Sequence, residues 1–257
     1  MKPGRVEAYL HQRLEEEGAL HFTLLDPEKA SPEKTAEAAS AAERAGSSAI
    51  LLGGSTIASQ LEVEASAKAI KAKTSIPLIL FPGNVTGITG HADAIFFMSL
   101  LNSENPYFLT GVQALAAPTI KRVGLEAIPL GYLILGGGGA AGYVGYARPI
   151  PYGQPTLAAA YALAGQYLGM RLIYLEAGSG AEQPIPPETV KTVRSVLDVP
   201  LIVGGGIRTG KTAESLVEAG ADIIVTGTVL EEAESLEGKV GELVEATRRG
   251  AQRRRRH

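Results

Sequence analysis

Short apolar runs alternate with amphipathic stretches along the whole chain. The runs are Ala19–Leu25, Ser48–Leu52, Pro77–Phe81, Ala94–Ser99, Glu126–Leu135, Leu172–Leu175, Leu201–Val203 and Ile223–Val225, eight in all. Near-continuous apolar runs of this length are expected of strands covered on both faces. Between most of them, apolar residues recur at helical spacing, which predicts parallel βα units. The first such helix opens at Ser31-Pro32-Glu33, a capping serine followed by proline at the first helical position, and ends near Gly46. Further helices are predicted over Glu62–Lys73, Pro155–Leu168, Pro187–Leu197, Lys211–Glu218 and Glu232–Arg249. One unit breaks the pattern. Gly83-Asn84-Val85-Thr86-Gly87-Ile88-Thr89-Gly90 holds three glycines and two threonines, which is poor helix material. The third helix is therefore expected to be short or replaced by extended structure. A second irregularity is the long connection from Gly136 to Tyr152, rich in Gly, Tyr and Pro. Long loops in compact domains are usually functional or mobile.

Eight βα units in 257 residues match the size of one (β/α)8 TIM barrel, about 250 residues, and no linker or composition break divides the chain. The expectation is a single domain over 1–257, with residues from about 251 a basic, flexible tail. Its run Arg253–Arg256 reads first as a solvated end; contact with anionic headgroups at a membrane surface is the second reading. A hydrophobic content of 45% can fill a large core. A net charge of −3 gives no general case for a nucleic-acid partner. The absence of cysteine excludes disulfides and thiolate metal sites, and fits a cytoplasmic location. Glu15, Glu16 and Glu17 leave no signal-peptide core near the start, and no apolar stretch is long enough to span a bilayer. A homo-oligomer is expected only from general frequency.

The chemistry gathers at strand ends. Val203-Gly204-Gly205-Gly206 and Val225-Thr226-Gly227-Thr228 are glycine turns after the seventh and eighth runs. Glycine lets backbone N–H groups approach an anion closely, and in eight-stranded barrels the loops after the last two strands are where phosphate is usually held. A phosphorylated ligand follows. Glu176 ends the sixth run in Tyr174-Leu175-Glu176-Ala177-Gly178-Ser179-Gly180. A carboxylate between apolar residues at a strand end has little solvent, which raises its pKa and suits proton transfer. The Gly-Ser-Gly beside it offers donors to an anion, so a catalytic reading is favoured over an internal ion pair. Asp26 follows the first run and precedes Pro27. Its carboxylate suits Mg²⁺, which takes one or two protein oxygens and leaves the rest to phosphate and water; a plain Asp-Pro turn is an equal alternative. The Ser55 and Thr56 hydroxyls serve either the same ion or phosphate, or cap the next helix.

Gly137, Gly139 and Gly142 match G-x-G-x-x-G only formally, because the tight strand–turn–helix and the later acid of a dinucleotide site are missing. His11, His21 and His91 show no metal-ligand spacing. Tyr132, Tyr143, Tyr146 and Tyr152 gather near one loop, either as packing or as the wall of an apolar or phosphorylated substrate site.

Together these pieces resemble the geranylgeranylglyceryl phosphate synthase family, which includes the heptaprenylglyceryl phosphate synthases. The most specific stretch is Tyr174 to Gly180. Leu25-Asp26-Pro27-Glu28-Lys29, Gly53-Gly54-Ser55-Thr56, Phe81-Pro82-Gly83-Asn84, Ser99–Ser103 with Asn105-Pro106, Gly145–Pro151 and Val203–Arg208 support it. The resemblance implies a barrel whose third helix is replaced by a strand. It implies transfer of a prenyl group, geranylgeranyl first among candidates, from its diphosphate to the 3-hydroxyl of sn-glycerol 1-phosphate. It implies Mg²⁺ at Asp26 and Ser55. Glycerol phosphate is then held by Tyr174, Leu175, Glu176, Ala177, Gly178, Ser179, Gly180, Gly205, Gly206, Gly227 and Thr228. One departure is local: Thr228 stands where some members carry Asn. Two other readings stay open. One is a different phosphate-binding barrel enzyme, an isomerase or synthase, since fold alone does not set chemistry. The other is a non-catalytic subunit that binds glycerol phosphate or lipid.

Overall fold

The computed structural model describes residues 2–54, 59–231 and 233–255. Eight parallel strands close into a barrel in chain order: β1 Leu20–Leu25, β2 Ala49–Leu52, β3 Leu78–Leu80, β4 Ala94–Leu100, β5 Glu126–Ile134, β6 Leu172–Glu176, β7 Leu201–Gly204 and β8 Ile223–Thr226. All eight predicted runs are strands. β8 pairs with β1 through Leu20↔Ile223 to Thr23↔Thr226, which closes the ring.

Period-2 alternation sorts the side chains into two apolar layers. Phe22, Leu51, Ile79, Phe96, Leu130, Tyr174 and Ile202 fill the barrel interior. Their neighbours Ile50, Leu80, Ile95, Leu133, Leu175 and Val203 face outward into the layer shared with the helices. The outer helices are α2 Pro32–Arg44, α3 Gln60–Lys73, α4 Val112–Val123, α6 Pro155–Tyr167, α7 Pro187–Arg194, α8 Gly210–Glu218 and α10 Leu236–Arg254, with α1 Arg5–Glu17 preceding the barrel and short α5 Gly139–Val144 and α9 Thr228–Glu231 within loops.

Between β3 and β4 there is one 3₁₀ turn, Val85–Gly87, and no α-helix, as the glycine content there led one to expect. Beside the short α5 and α9, two longer helices were not legible. α1 lies in the interior cluster through Val6 and Leu10, at the strands' N-terminal end. Gly4 supplies no capping side chain; the Glu126 carboxylate accepts from Val6 N at 2.7 Å and Glu7 N at 2.9 Å instead. α4 contains Pro118, a breaker by local rules. It follows one turn of π-helix, Tyr107–Gly111.

The expected flexible tail is corrected in part. α10 runs past Arg249 to Arg254, so residues 251–254 are its last turn. Arg253 pairs with Glu214 and Glu218, and Arg254 pairs with Asp222 and donates to Gly18 O.

His21 sits fully buried on the outer face of β1, its Nε2 2.9 Å from Thr226 Oγ1. Burial lowers its pKa to about 3. An unfolded chain takes up a proton near pH 6.5 that the fold refuses. This contribution to stability is complete above 6.5 and is lost as pH falls from there toward 3, at about 1.4 kcal/mol per pH unit. Denaturant unfolding at pH 7.5 and 4.5 should therefore show the wild type losing about 3 kcal/mol more than His21→Gln. Equal losses would mean His21 is protonated in the fold.

Candidate active site

The strand C-termini open on one cavity of about 440 Å³, within the usual range for a small-molecule site. Its polar end is lined by Asp26, Lys29, Glu176, Ser179, Arg208 and Thr228. It continues into an apolar groove walled by Phe97, Met98, Phe108, Val112, Ala116 and Ile120. Phe97, Ala116 and Ile120 belong to or pack against the barrel–helix layer, so the groove leaves the barrel mouth on the side where the third helix is missing.

Glu176 is the last residue of β6, two on from Tyr174, and so shares its inward direction. It is 6% exposed. Gly178 N donates to its Oε1 at 2.7 Å, and the nearby hydroxyls of Tyr132 and Tyr174 favour the charged carboxylate. Desolvation outweighs these effects and pushes its pKa up. Beneath lie three rings: Phe81 stacks on Tyr174 at 5.4 Å, and Tyr132 meets both edge-on at 5.6 and 5.2 Å. Burial and the nearby carboxylate raise both tyrosine pKa values, so the phenols stay protonated as donors.

The glycines keep this space open. A Cβ on Gly205, whose φ is +83°, would stand 2.4 Å from Glu176 Oε1, and one on Gly204 would stand 2.1 Å from Tyr174 Oη. Ser179 Oγ and Thr228 Oγ1 lie 3.1 Å apart, which brings the loops after β6 and β8 together. Gly205, Gly206 and Gly227 line the same end. Backbone groups and two hydroxyls thus converge where an anion would rest.

Asp26 is half-exposed at the cavity mouth, and its Oδ1 accepts from Glu28 N at 3.0 Å. A Cβ on Gly54 would reach within 2.7 Å of Oδ2, so only glycine fits against the carboxylate there. A hard oxygen donor at the cavity mouth fits Mg²⁺. Ser55 and Thr56 lie outside the described residues. Among the described residues no group of three or more His, Cys, Asp or Glu forms a protein-only metal cage.

The structure brings together Asp26, Tyr174, Glu176, Ser179, Gly180, Gly205, Gly206, Gly227 and Thr228 on one cavity. It turns three sequence candidates away. The side chains of Leu175 and Ala177 join the helix-facing layer, as alternation along the strand requires, and the N–H of Gly178 is committed to Glu176. The tyrosine cluster divides as well: Tyr132 is buried beside Glu176, while Tyr143 and Tyr146 are 88% and 63% exposed. Two glycines of the Gly136–Tyr152 segment serve close packing: a Cβ on Gly136 would stand 2.5 Å from Tyr152 Cζ, and one on Gly145 2.4 Å from Leu100 Cδ2. Sequence reading missed Phe81, Lys29 and Arg208 as cavity residues; only the strand-end position of Phe81 signalled its place.

Fold and site together define an α/β barrel whose mouth joins a glycine-rich polar end, with the buried Glu176 carboxyl, to an apolar groove. Among the described residues no helix is long and apolar enough to cross a membrane. The chain belongs to the PcrB family, whose pattern matches residues 11–247. The geranylgeranylglyceryl phosphate synthase of Thermococcus kodakarensis is 58% identical over 250 residues, spanning 97% of this chain and 98% of that protein. The synthase of the same name from Thermofilum pendens is 52% identical over 253 residues, spanning 98% and 99%. The crystal structure of (S)-3-O-geranylgeranylglyceryl phosphate synthase from Thermoplasma acidophilum, in complex with its substrate sn-glycerol-1-phosphate, superposes with a TM-score of 0.91 at 42% identity, covering 96% of this chain and 99% of that one.

Proposed function

We propose that this chain transfers a geranylgeranyl group from its diphosphate to the 3-hydroxyl of sn-glycerol 1-phosphate, forming the first ether bond of archaeal-type membrane lipids. The observation that carries the reading is the shared cavity: Asp26, Glu176 and the glycine cradle open on one space, and that space runs on as an apolar groove. Close relatives that carry the synthase name, and a superposable relative solved with sn-glycerol-1-phosphate, support it.

In this reading the phosphate of glycerol phosphate rests among the backbone groups of Gly205, Gly206 and Gly227 and the hydroxyls of Ser179 and Thr228. That fixes the glycerol 3-hydroxyl against Glu176 and replaces a bimolecular search by positioning. Asp26 would hold Mg²⁺, with Ser55 as a second proposed ligand, and the ion bound there would neutralise charge on the diphosphate and make it a better leaving group. The prenyl chain lies in the groove, where each buried CH₂ contributes roughly 0.8 kcal/mol. The carbon–oxygen bond to diphosphate breaks, diphosphate keeps the electron pair, and the allylic carbon becomes cationic. The glycerol oxygen bonds to that carbon while its proton passes to Glu176. Gly178 N holds the carboxylate in place for that transfer, with the Tyr132 and Tyr174 hydroxyls nearby. A cytoplasmic setting fits water-soluble glycerol phosphate as a substrate.

The test is incubation with Mg²⁺, sn-glycerol 1-phosphate and a ladder of prenyl diphosphates, with products identified by mass. A prenyl ether with released diphosphate is the expected result, greatest for the C20 donor. Glycerol phosphate binding with no diphosphate release across the ladder would overturn the reading.

A further inference from the structure

The groove carries one polar side chain on the inner face of α4, and it is held in a single orientation. Gln113 Nε2 donates to Met98 O at 2.6 Å and to Phe108 O at 3.1 Å. Both partners are carbonyls, so the amide cannot flip without setting oxygen against oxygen. Its Oε1 is consequently buried with no hydrogen-bond partner. An unpaired buried acceptor costs stability, and an apolar residue at this place would avoid that cost.

The two carbonyls belong to different walls. Met98 lies on β4, whose pairing with β3 ends at Leu80↔Ile95 although β4 continues to Leu100. Phe108 lies in the π-turn Tyr107–Gly111 that leads into α4. A second stitch runs parallel: Ser99 Oγ donates to Leu109 O of the same turn at 2.8 Å. Met98, Phe108 and Val112 all line the groove. π-turns occur often at functional sites, where they re-aim side chains.

We propose that Gln113 is a positioning residue for the prenyl donor: it ties the uncovered edge of β4 to the π-turn and so sets the separation of the groove's walls. The inference rests on the groove receiving the prenyl chain. Gln113 acts only on that substrate, because the cradle for glycerol phosphate is built on β6, β7 and β8 and shares no hydrogen bond with it.

The test is steady-state kinetics of Gln113→Met, which keeps the side chain's length and removes both bonds. KM for geranylgeranyl diphosphate should rise about tenfold, while KM for sn-glycerol 1-phosphate stays within twofold and kcat within threefold. Amide hydrogen exchange at 107–111 should quicken in parallel. Unchanged constants, or both KM values rising together, would overturn the proposal. Should Gln113→Met not fold, Ser99→Ala, which releases Leu109 O from the same turn, must give the same one-sided change. If the wild type transfers no prenyl group, the reaction assignment fails by itself; exchange at 107–111 unaltered in the variant would then sink the positioning role separately.

Discussion

Replacing Glu176 by Gln should lower turnover by on the order of a hundredfold or more while leaving glycerol phosphate affinity within a few-fold of the wild type. That is the usual scale for a lost general base. Glutamine keeps the volume and can still accept from Gly178 N, so the cradle survives; what it cannot do is take a proton. The wild-type pH profile carries the same information. Burial lifts the Glu176 pKa above the ordinary carboxylate value of 4.5. The acid limb of kcat/KM should therefore lie above that value, with activity falling as pH drops through it, and the limb should vanish in the variant's residual activity. Stability moves in the opposite sense. A raised carboxyl pKa means the fold favours the protonated form, so stability is highest below 4.5 and declines as pH rises through the window up to the folded-state pKa. Glu176→Gln should consequently be more resistant to denaturant than the wild type at neutral pH, and lose that advantage below about pH 4.5. Near-normal turnover in the variant would remove Glu176 from proton transfer.

Asp26→Ala should abolish Mg²⁺-stimulated transfer, a loss of at least a hundredfold, the scale on which catalytic groups are felt. Asp26 is half-exposed, just beyond the end of β1 and outside the buried core, so the fold should tolerate the change. A binding measurement separates the role from general damage. Titration calorimetry should show glycerol phosphate affinity unchanged, and prenyl diphosphate affinity no longer dependent on Mg²⁺. Undiminished Mg²⁺-dependent catalysis would refute the ligand assignment. The two variants also differ in kind: Glu176→Gln keeps the Mg²⁺ dependence of diphosphate binding, and Asp26→Ala keeps the elevated acid limb in whatever activity remains.

Much of this was legible in one dimension. The eight strands follow from apolar runs separated by helical spacing, because a parallel strand buried on both faces has no polar side to show. The loss of the third helix follows from the glycines and threonines of 83–90, which disfavour helix locally. The glycine turns after β6, β7 and β8, and the acid at the end of β6, mark the phosphate end because strand-end position is a property of order along the chain. Other features depend on partners far away. α1 has no capping side chain of its own; Glu126 caps it from the opposite end of more than a hundred residues. α4 is a helix despite Pro118 because Ala116 and Ile120 are buried in the barrel–helix layer, and such packing outweighs propensity.

The sequence by itself thus determined the architecture and pointed to the proposed phosphate end and the candidate acid, since these rest on periodicity and on glycine's freedom of backbone. Only the tertiary structure decided what that acid does with its neighbours. It turned the side chains of Leu175 and Ala177 away, placed Tyr132 near Glu176 and left Tyr143 outside, and brought Asp26 from just after β1 and Glu176 from β6 to one cavity with a groove walled by β4 and α4. Closing a barrel sets every strand's inward face and brings distant strand ends within reach, and that geometry is a property of all eight strands at once.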